Sequence, residues 1–179
     1  MKKIISEKPM RIIKAKENLK KILGVNIKIS GNEIYLEGNP EDEFIGEKII
    51  DALDFGFPFS HAITIKQDNF HLEILDIKDY TPRKDLETIR GRIIGRSGRT
   101  LRTLTDLSGC FFEINRNRVG IIGPVEHFEN ARESVLALIR GSRQANVYRN
   151  LEKAKVEPVE DLGIKKSFEK KLKNKNIDE

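Results

Sequence analysis

The segments GVNIKISGNEIYLEGNPEDE (24–43) and GCFFEINRNRVGIIGPVEHF (109–128) match each other at a constant offset, from Gly24 and Gly109 onward. Glycines, alternating apolar residues and a polar tight turn fall at equivalent positions in the two copies. Alternation of apolar and polar residues around a short polar turn predicts two antiparallel strands. The chain therefore contains an internal repeat, and each copy contributes a β-hairpin.

Apolar residues at helical spacing flank both hairpins and predict helices on either side of each one. The helical segments are ENLKKIL (17–23) and TLRTLTDL (100–107) before the hairpins, and FIGEKIIDAL (44–53) and ARESVLALI (131–139) after them. Ahead of the second hairpin, FHLEILDIKDY (70–80) alternates as a strand, and another helix begins near Asp85. The order strand–helix–helix–strand–strand–helix predicts an α+β fold with two units, each a three-stranded antiparallel sheet covered on one face by helices.

We expect the two units to occupy residues 1–68 and 69–155, followed by a charged, flexible tail at residues 156–179. The last helix of the second unit is expected to continue past Gly141 through residue 154. The FGFPF segment (55–59) is predicted to be an apolar loop that seats the first unit on the second.

Composition excludes several classes of protein. The chain has 179 residues, of which 38% are hydrophobic and 34% are charged, and its apolar runs are far shorter than the ~20 residues that span a bilayer. The N-terminus has no apolar segment typical of a secretory signal, so we expect a cytoplasmic protein that does not contact membranes. The lone cysteine, Cys110, and three scattered histidines exclude a disulfide and a Cys/His zinc site, and we expect no cofactor.

The basic excess lies in one half of the chain. Residues 83–155 contain 15 Lys and Arg against 8 Asp and Glu, whereas residues 1–82 contain 12 against 14. Twelve of the thirteen arginines lie in the second stretch. Because the guanidinium group binds phosphate in a bidentate manner, this segregation indicates an anionic polymer as the partner of the second unit.

The second unit also contains RGRIIGRSGRTLRTL (90–104), in which two glycines bracket Arg96 and Ser97 between two predicted helices. Gly95 and Gly98 allow positive φ and present no Cβ, so a phosphodiester backbone can approach the turn. The next helix directs its free N–H groups at the same place. The spacing does not fit the Walker or dinucleotide-binding glycine patterns. Arginines around and beyond the loop supply phosphate neutralisation, namely Arg92, Arg96, Arg99 and Arg102, with Arg140, Arg143 and Arg149 extending the track.

IIGRSGRTLRTLTDLSGCFFEI (93–114) resembles the core of a KH domain, in which I-I-G-x-x-G is followed by a helix and a strand. KH domains clamp about four nucleotides of single-stranded RNA or DNA at this loop. A wider stretch, about residues 4–155, resembles the archaeal KH-domain ribosome assembly factors, relatives of the eukaryotic partner of the Nob endonuclease.

That resemblance implies two tandem type I KH units and a function in small-subunit rRNA processing. It implies binding to the 3′ region of small-subunit rRNA, with the alpha subunit of translation initiation factor two and an rRNA endonuclease as further partners. The expected RNA-binding residues are Arg92, Ile94, Gly95, Arg96, Ser97, Gly98, Arg99, Leu101, Arg102 and Phe112. Among these, the apolar residues are expected to belong to the core, and some of them also to the floor of the base-binding groove.

The first unit departs from the KH pattern. At an offset of 85 the GRSG loop falls on residues 10–13, which contain no glycine, and at an offset of 81 the loop is deleted before Lys14. We therefore interpret the first unit as a degenerate KH unit used for packing or protein contact.

The same residues also fit several alternatives. GRSG could be an ordinary helix–helix turn, and Phe111 could stack on a base or pack between the units. The protein could be a nuclease, although the acidic residues nearest the loop, Asp85, Glu87 and Asp106, are sparse. It could instead be a protein-binding adaptor with generic affinity for RNA or single-stranded DNA. Cys110 is expected to be a core residue and not a nucleophile.

Overall fold

A computed structural model describes residues 1–155 of the chain. The N-terminal unit comprises β1 (Lys2–Ile5), α1 (Pro9–Leu23), β2 (Asn26–Ser30), β3 (Glu33–Glu37), α2 (Pro40–Phe55), α3 (Phe59–Ala62) and a 3₁₀ turn (Ile63–Lys66). The C-terminal unit comprises β4 (Phe70–Asp76), a 3₁₀ turn (Ile77–Tyr80), α4 (Leu86–Ile94), α5 (Arg99–Ser108), β5 (Phe111–Asn115), β6 (Arg118–Pro124), α6 (Val125–Arg140) and α7 (Gln144–Lys155).

Each unit contains a three-stranded antiparallel sheet, with strand order β1–β3–β2 in one and β4–β6–β5 in the other. The two hairpins also have the same register, because Tyr35 pairs with Lys28 and, at the equivalent positions of the second copy, Gly120 pairs with Glu113. The predicted α+β fold with two tandem units is therefore confirmed.

The repeat extends to side-chain packing at the end of the third strand of each sheet. A Cβ added to Gly38 would lie 2.9 Å from Cγ1 of Val25, and one added to Gly123 would lie 2.3 Å from Sγ of Cys110. Val25 and Cys110 also occupy equivalent positions in the two copies of the repeat. In both units, therefore, a glycine near the end of the last strand leaves room for the side chain of the residue that precedes the second strand.

Each sheet buries one face beneath the helices of its own unit, because apolar residues alternate along the strands and recur at helical spacing in the helices. The N-terminal core includes Ile12, Leu19, Ile27, Ile34, Leu36, Ile49 and Ile50. The C-terminal core includes Leu75, Ile89, Ile93, Leu104, Ile121, Val135 and Ile139.

The other face of the C-terminal sheet packs against the N-terminal unit. Gly120 lies under two aromatic rings, since an added Cβ would come within 2.7 Å of Phe57 and 2.8 Å of Phe55. Asn115 Nδ2 donates a hydrogen bond of 2.7 Å to the carbonyl oxygen of Phe55. The predicted role of the FGFPF segment, seating one unit on the other, is therefore confirmed.

Phe111 also belongs to this interface. Its ring stacks on the imidazole of His61, with centroids 3.9 Å apart and planes 10° apart. Burial lowers the pKa of His61 below its ordinary value of 6.5, because the charged imidazolium loses solvation there. Of the two roles considered for Phe111, the structure therefore shows packing between the units.

Two helix predictions were wrong. In the N-terminal unit the two helices of the predicted order form one continuous helix, α1, because no glycine interrupts residues 9–23. In the C-terminal unit the last helix does not run through residue 154. Gly141 adopts φ +104° and ends α6, and α7 folds back so that Val147 and Leu151 become buried in the core.

The flexible tail predicted for residues 156–179 lies outside the described residues. Within the described part of the chain, no helix combines the length and the apolarity needed to cross a membrane.

Candidate nucleic-acid interface

The GRSG loop joins α4 to α5 through a backbone in which three of the four residues have positive φ. Gly95 has φ +74° and ψ 172°, Ser97 has φ +53° and ψ 33°, and Gly98 has φ +74° and ψ 13°. The two glycines occupy these positive-φ regions without the cost that a Cβ would impose. The bend therefore depends on both glycines that the sequence singled out.

Gly95 is required for a second reason, which is space. A Cβ at this residue would lie 2.1 Å from Oγ1 and 2.8 Å from the backbone nitrogen of Thr100, a buried residue in the first turn of α5. A Cβ at Gly98 would meet no atom within 4 Å. The first glycine thus lets the loop fold tightly onto α5, whereas the second leaves the outer side of the loop open to a ligand.

The loop is exposed and positively charged. Arg96, Ser97, Arg99 and Arg102 are all exposed. Among the described residues, these three guanidinium groups are bound to no carboxylate or carbonyl group. Gly98 is the N-cap residue of α5, and no side chain in residues 1–155 caps this end of the helix, so the positive end of the helix dipole also faces the loop. The arrangement suits a phosphate group.

Arg92 has a different position from the other predicted arginines. It is half-buried, and its guanidinium group donates hydrogen bonds to the carbonyl oxygens of Gly141, at 3.1 Å, and Ser142, at 2.9 Å. Arg92 therefore ties α4 to the connection between α6 and α7 and does not project freely beside the loop.

The side chain of Gln144 completes this contact. Its amide nitrogen lies 3.0 Å from the carbonyl oxygen of Arg92 and 2.8 Å from Oγ1 of Thr100. We call the set of Arg92, Thr100, Gly141, Ser142 and Gln144 the loop junction. Sequence reasoning missed Thr100 and Gln144 as supporting residues, because no local pattern marks a contact between two segments so distant in the chain.

The three apolar residues predicted near the groove divide into two groups. Ile94 and Leu101 are half-buried and flank the loop in sequence, so part of each side chain remains accessible. Phe112 is only 9% exposed and packs in the core of the C-terminal unit. Of the three, Ile94 and Leu101 therefore keep accessible surface beside the loop, whereas Phe112 is a core residue.

Two side chains that could act in catalysis near the loop, Asp85 and Cys110, have structural roles. Asp85 caps α4 by accepting a hydrogen bond of 3.2 Å from the Thr88 backbone nitrogen, and hydrogen bonding to Thr88 lowers the pKa of Asp85. Cys110 is fully buried, and burial raises its pKa to about 11, which confirms it as a core residue. Across residues 1–155, no three His, Cys, Asp or Glu side chains are grouped as metal ligands would be.

The geometry defines a class of protein: a pair of KH-like units, of which one carries an exposed GXXG loop flanked by arginines. Consistent with this, residues 71–156 match the family model of the eukaryotic type KH domain, KH domain type I. The KH domain-containing protein MJ0443 of Methanocaldococcus jannaschii is 31% identical over 172 residues, which is 92% of this chain and 73% of that protein. The chain and that protein belong to one family of KH-domain proteins.

Other similar proteins are named PNO1 and Dim2p, and the family is therefore the PNO1/Dim2 family. The pre-rRNA-processing protein PNO1 of Coccidioides immitis is 31% identical over 141 residues, which cover 75% of this chain and 55% of the fungal protein. The crystal structure of Dim2p from Pyrococcus horikoshii has a TM-score of 0.78 at 27% identity, covering 85% of this chain and 98% of that one. A complex of a/eIF2alpha, aDim2p and rRNA from the same organism matches with a TM-score of 0.77 at 28% identity, covering 86% and 93% of the two chains.

Proposed function

We propose that this protein binds single-stranded RNA through the GRSG loop of its C-terminal unit and acts in the processing of small-subunit rRNA. The observation that carries the proposal is the loop itself. It is exposed, it depends on two glycines in positive-φ conformations, and it carries arginines whose guanidinium groups have no partner among the described residues. We propose no catalytic step.

In this proposal the RNA backbone lies against residues 95–98 and the start of α5. Arg96, Arg99 and Arg102 neutralise phosphates there. Arg92 instead holds α4 in place through its hydrogen bonds to the connection between α6 and α7. Phosphate contacts position the strand but do not read its sequence. Discrimination between bases therefore falls to the groove beside Ile94 and Leu101.

The N-terminal unit has a different function in this proposal. We place the boundary between the units at residues 68 and 69, and we assign residues 1–68 to packing and protein contact. The continuous helix α1 occupies the place where a KH unit carries its loop, so this unit offers no comparable bend to a nucleic-acid backbone.

The names of similar proteins support the proposed pathway and partners. The fungal relatives are called pre-rRNA-processing proteins, and the Pyrococcus Dim2p was crystallised with rRNA and a/eIF2alpha. We propose the 3′ region of small-subunit rRNA as the target of this chain. The alpha subunit of translation initiation factor two and an rRNA endonuclease are its proposed protein partners.

The test replaces Arg96 and Ser97 by aspartates and measures binding of an oligonucleotide from the 3′ end of small-subunit rRNA at fixed salt. The fold should remain intact, because both residues are exposed and Asp tolerates the left-handed conformation of Ser97. Affinity should fall by about a hundredfold or more, because the substitution reverses charge where the phosphates lie.

The matched control is Ile13→Asp with Lys14→Asp, which makes the same change in net charge at the point where the N-terminal unit lacks the loop. Both residues are exposed. This control should lower affinity by less than about threefold, since only long-range electrostatics are affected. Equal losses in the two variants, or no loss in the first, would contradict the proposed site.

A second candidate function is that of a protein-binding adaptor, and one observation favours it. Six of the eight exposed large hydrophobic side chains in the described part of the chain lie in the N-terminal unit: Met1, Ile5, Met10, Ile13, Ile22 and Phe44. Exposed apolar surface marks sites of protein contact where it is contiguous, and most of the exposed apolar side chains available for such a contact are on the N-terminal unit.

The adaptor role is tested by co-precipitation of the full chain with the alpha subunit of translation initiation factor two, with and without ribonuclease. An adaptor retains the partner after ribonuclease treatment and in the Arg96→Asp, Ser97→Asp variant. Loss of the partner under either condition would show that RNA bridges the two proteins.

A further inference from the structure

The connection between α6 and α7 lies beside the GRSG loop. Gly141 ends α6, and its carbonyl oxygen and that of Ser142 accept hydrogen bonds from the guanidinium group of Arg92. On the other side, Gln144 donates to the carbonyl oxygen of Arg92 and to Oγ1 of Thr100. Arg92 lies just before Gly95 in the sequence, and Thr100 lies just after Gly98. The loop junction therefore fixes residues 140–144 against both helices that carry the loop.

Two arginines project from this connection. Arg140 is the last residue of α6, Arg143 immediately precedes α7, and both are exposed. Neither guanidinium group has a hydrogen-bond or ion-pair partner within residues 1–155. The carbonyl oxygens of Gly141 and Ser142, just beyond the end of α6, already accept hydrogen bonds from Arg92, so Arg140 is not needed there.

The surrounding sequence lacks compensating charge. Residues 134–151, SVLALIRGSRQANVYRNL, contain three arginines and no Asp or Glu. An ordinary solvated helix face carries both signs of charge, which give favourable i,i+3 and i,i+4 pairs. The residues between and after these arginines are hydrogen-bonded to both helices that carry the loop, so this positive charge adds to that of the loop and is unfavourable until an anion binds. The arrangement thus favours a polyanion that contacts both the loop and this connection.

We propose that Arg140 and Arg143 form a second phosphate-binding site, which holds nucleotides that flank the segment gripped by the GRSG loop. The proposal rests on the proposed function, because the same RNA strand occupies both sites. The loop takes about four nucleotides, and the second site takes the continuation of the backbone. Longer RNA should therefore bind more tightly than the loop alone allows.

The test compares the full-length wild-type protein with an Arg140→Ala, Arg143→Ala variant on two RNAs. One is an oligonucleotide of about four nucleotides, and the other has about twelve and contains the same core. Affinity for the short RNA should change by less than about twofold, and affinity for the long RNA should fall about tenfold. The slope of log K against log salt for the long RNA should become shallower by about 1.4, because two phosphate contacts to a single strand are lost.

Two further variants make the result specific. Lys21→Ala with Lys28→Ala removes the same charge from exposed positions on the N-terminal unit and should leave both affinities within about twofold of the wild type. Arg140→Lys with Arg143→Lys keeps the charge and should restore most of the salt slope. Unchanged melting temperatures would verify that all variants are folded.

An equal loss on both RNAs, or no loss on the long one, would overturn the second site. The outcome is separable from the loop proposal. If Arg96→Asp with Ser97→Asp abolishes binding of both RNAs while Arg140→Ala with Arg143→Ala changes neither, then only the second site is wrong. If the loop variant binds both RNAs normally, the proposed function itself is wrong.

Discussion

The sheets of the two units have the same topology, and the units differ in the segment that connects the first strand to the hairpin. In the N-terminal unit this segment is the single helix α1, whose residues Ile12, Ala15, Leu19 and Leu23 are buried at helical spacing. In the C-terminal unit the equivalent segment is divided into α4 and α5 by the GRSG loop. A short stretch of backbone is therefore enough to add or remove a candidate nucleic-acid site without changing the sheet beneath it.

A second difference concerns the outer faces of the two sheets. Tyr35 in β3 lies on an open face, where Lys3 and Glu33 contact it. The equivalent residue of the second copy is Gly120 in β6, which is buried beneath Phe55 and Phe57. Within residues 1–155, the N-terminal unit thus leaves its outer face uncovered, whereas the C-terminal unit packs the equivalent face against its neighbour. Together the differences favour protein contact for the N-terminal unit and RNA contact for the C-terminal unit.

The largest effect on stability is expected for Gly95→Ala. Gly95 lies at φ +74° and ψ 172°, a region that is open essentially only to glycine and costs a residue with a Cβ about 1–3 kcal/mol. The overlap with the Thr100 backbone and side chain adds a similar amount, so unfolding in urea should show a loss of about 3 kcal/mol. Gly98 has the same φ but ψ 13°, the left-handed helical region, and has open space around it, so Gly98→Ala should cost only about 1 kcal/mol. Equal costs would show that the packing of Gly95 onto α5 does not stabilise the loop.

An intermediate effect is expected for Gly120→Ala. The added methyl group would overlap with the rings of Phe55 and Phe57, and overpacking of this kind typically costs about 2 kcal/mol. At the equivalent position of the open sheet, Tyr35→Ala should cost less than about 1 kcal/mol, because that side chain is not enclosed. Denaturant unfolding measures both values, and a greater cost for Tyr35→Ala would contradict the assignment of the two outer faces.

The smallest effect concerns pH at the contact between the units. Burial lowers the pKa of His61 in the folded protein, so the unfolded chain binds the proton more readily. Folding stability should therefore decrease as pH falls below about 6.5, the ordinary pKa of histidine. His61→Phe keeps an aromatic ring on Phe111 but cannot be protonated, so its stability should decrease less between about pH 7 and pH 5.5. If urea unfolding gives the same pH dependence for both proteins, His61 does not titrate at the interface.

The sequence predicted the parts of the fold that repeat locally. Alternation of apolar residues predicted the hairpins, and the glycine pair predicted the loop, because both depend on side chains within a few residues of each other. The break at Gly141 was not predicted, since the connection that follows it is held by Arg92, which lies far away in the sequence. The contact between Gln144 and Thr100 has no local pattern for the same reason.

Other site residues needed the structure to decide between two roles. The sequence left two roles for Phe111, stacking on a base or packing between the units, and only the stack on His61 shows that it packs between them. Composition grouped Arg92 with its neighbours as a phosphate ligand, whereas its hydrogen bonds to Gly141 and Ser142 give it a supporting position. In both cases the deciding partner comes from a distant part of the chain.

NMR shows most directly which unit contacts RNA. The measurement is the change in backbone amide chemical shifts of the full-length protein during titration with an rRNA oligonucleotide. If the C-terminal unit binds RNA and the N-terminal unit does not, the largest chemical-shift changes will occur at residues 95–102 and none will occur in α1. Shift changes concentrated in α1 or on the open face of the N-terminal sheet, with residues 95–102 unaffected, would contradict it.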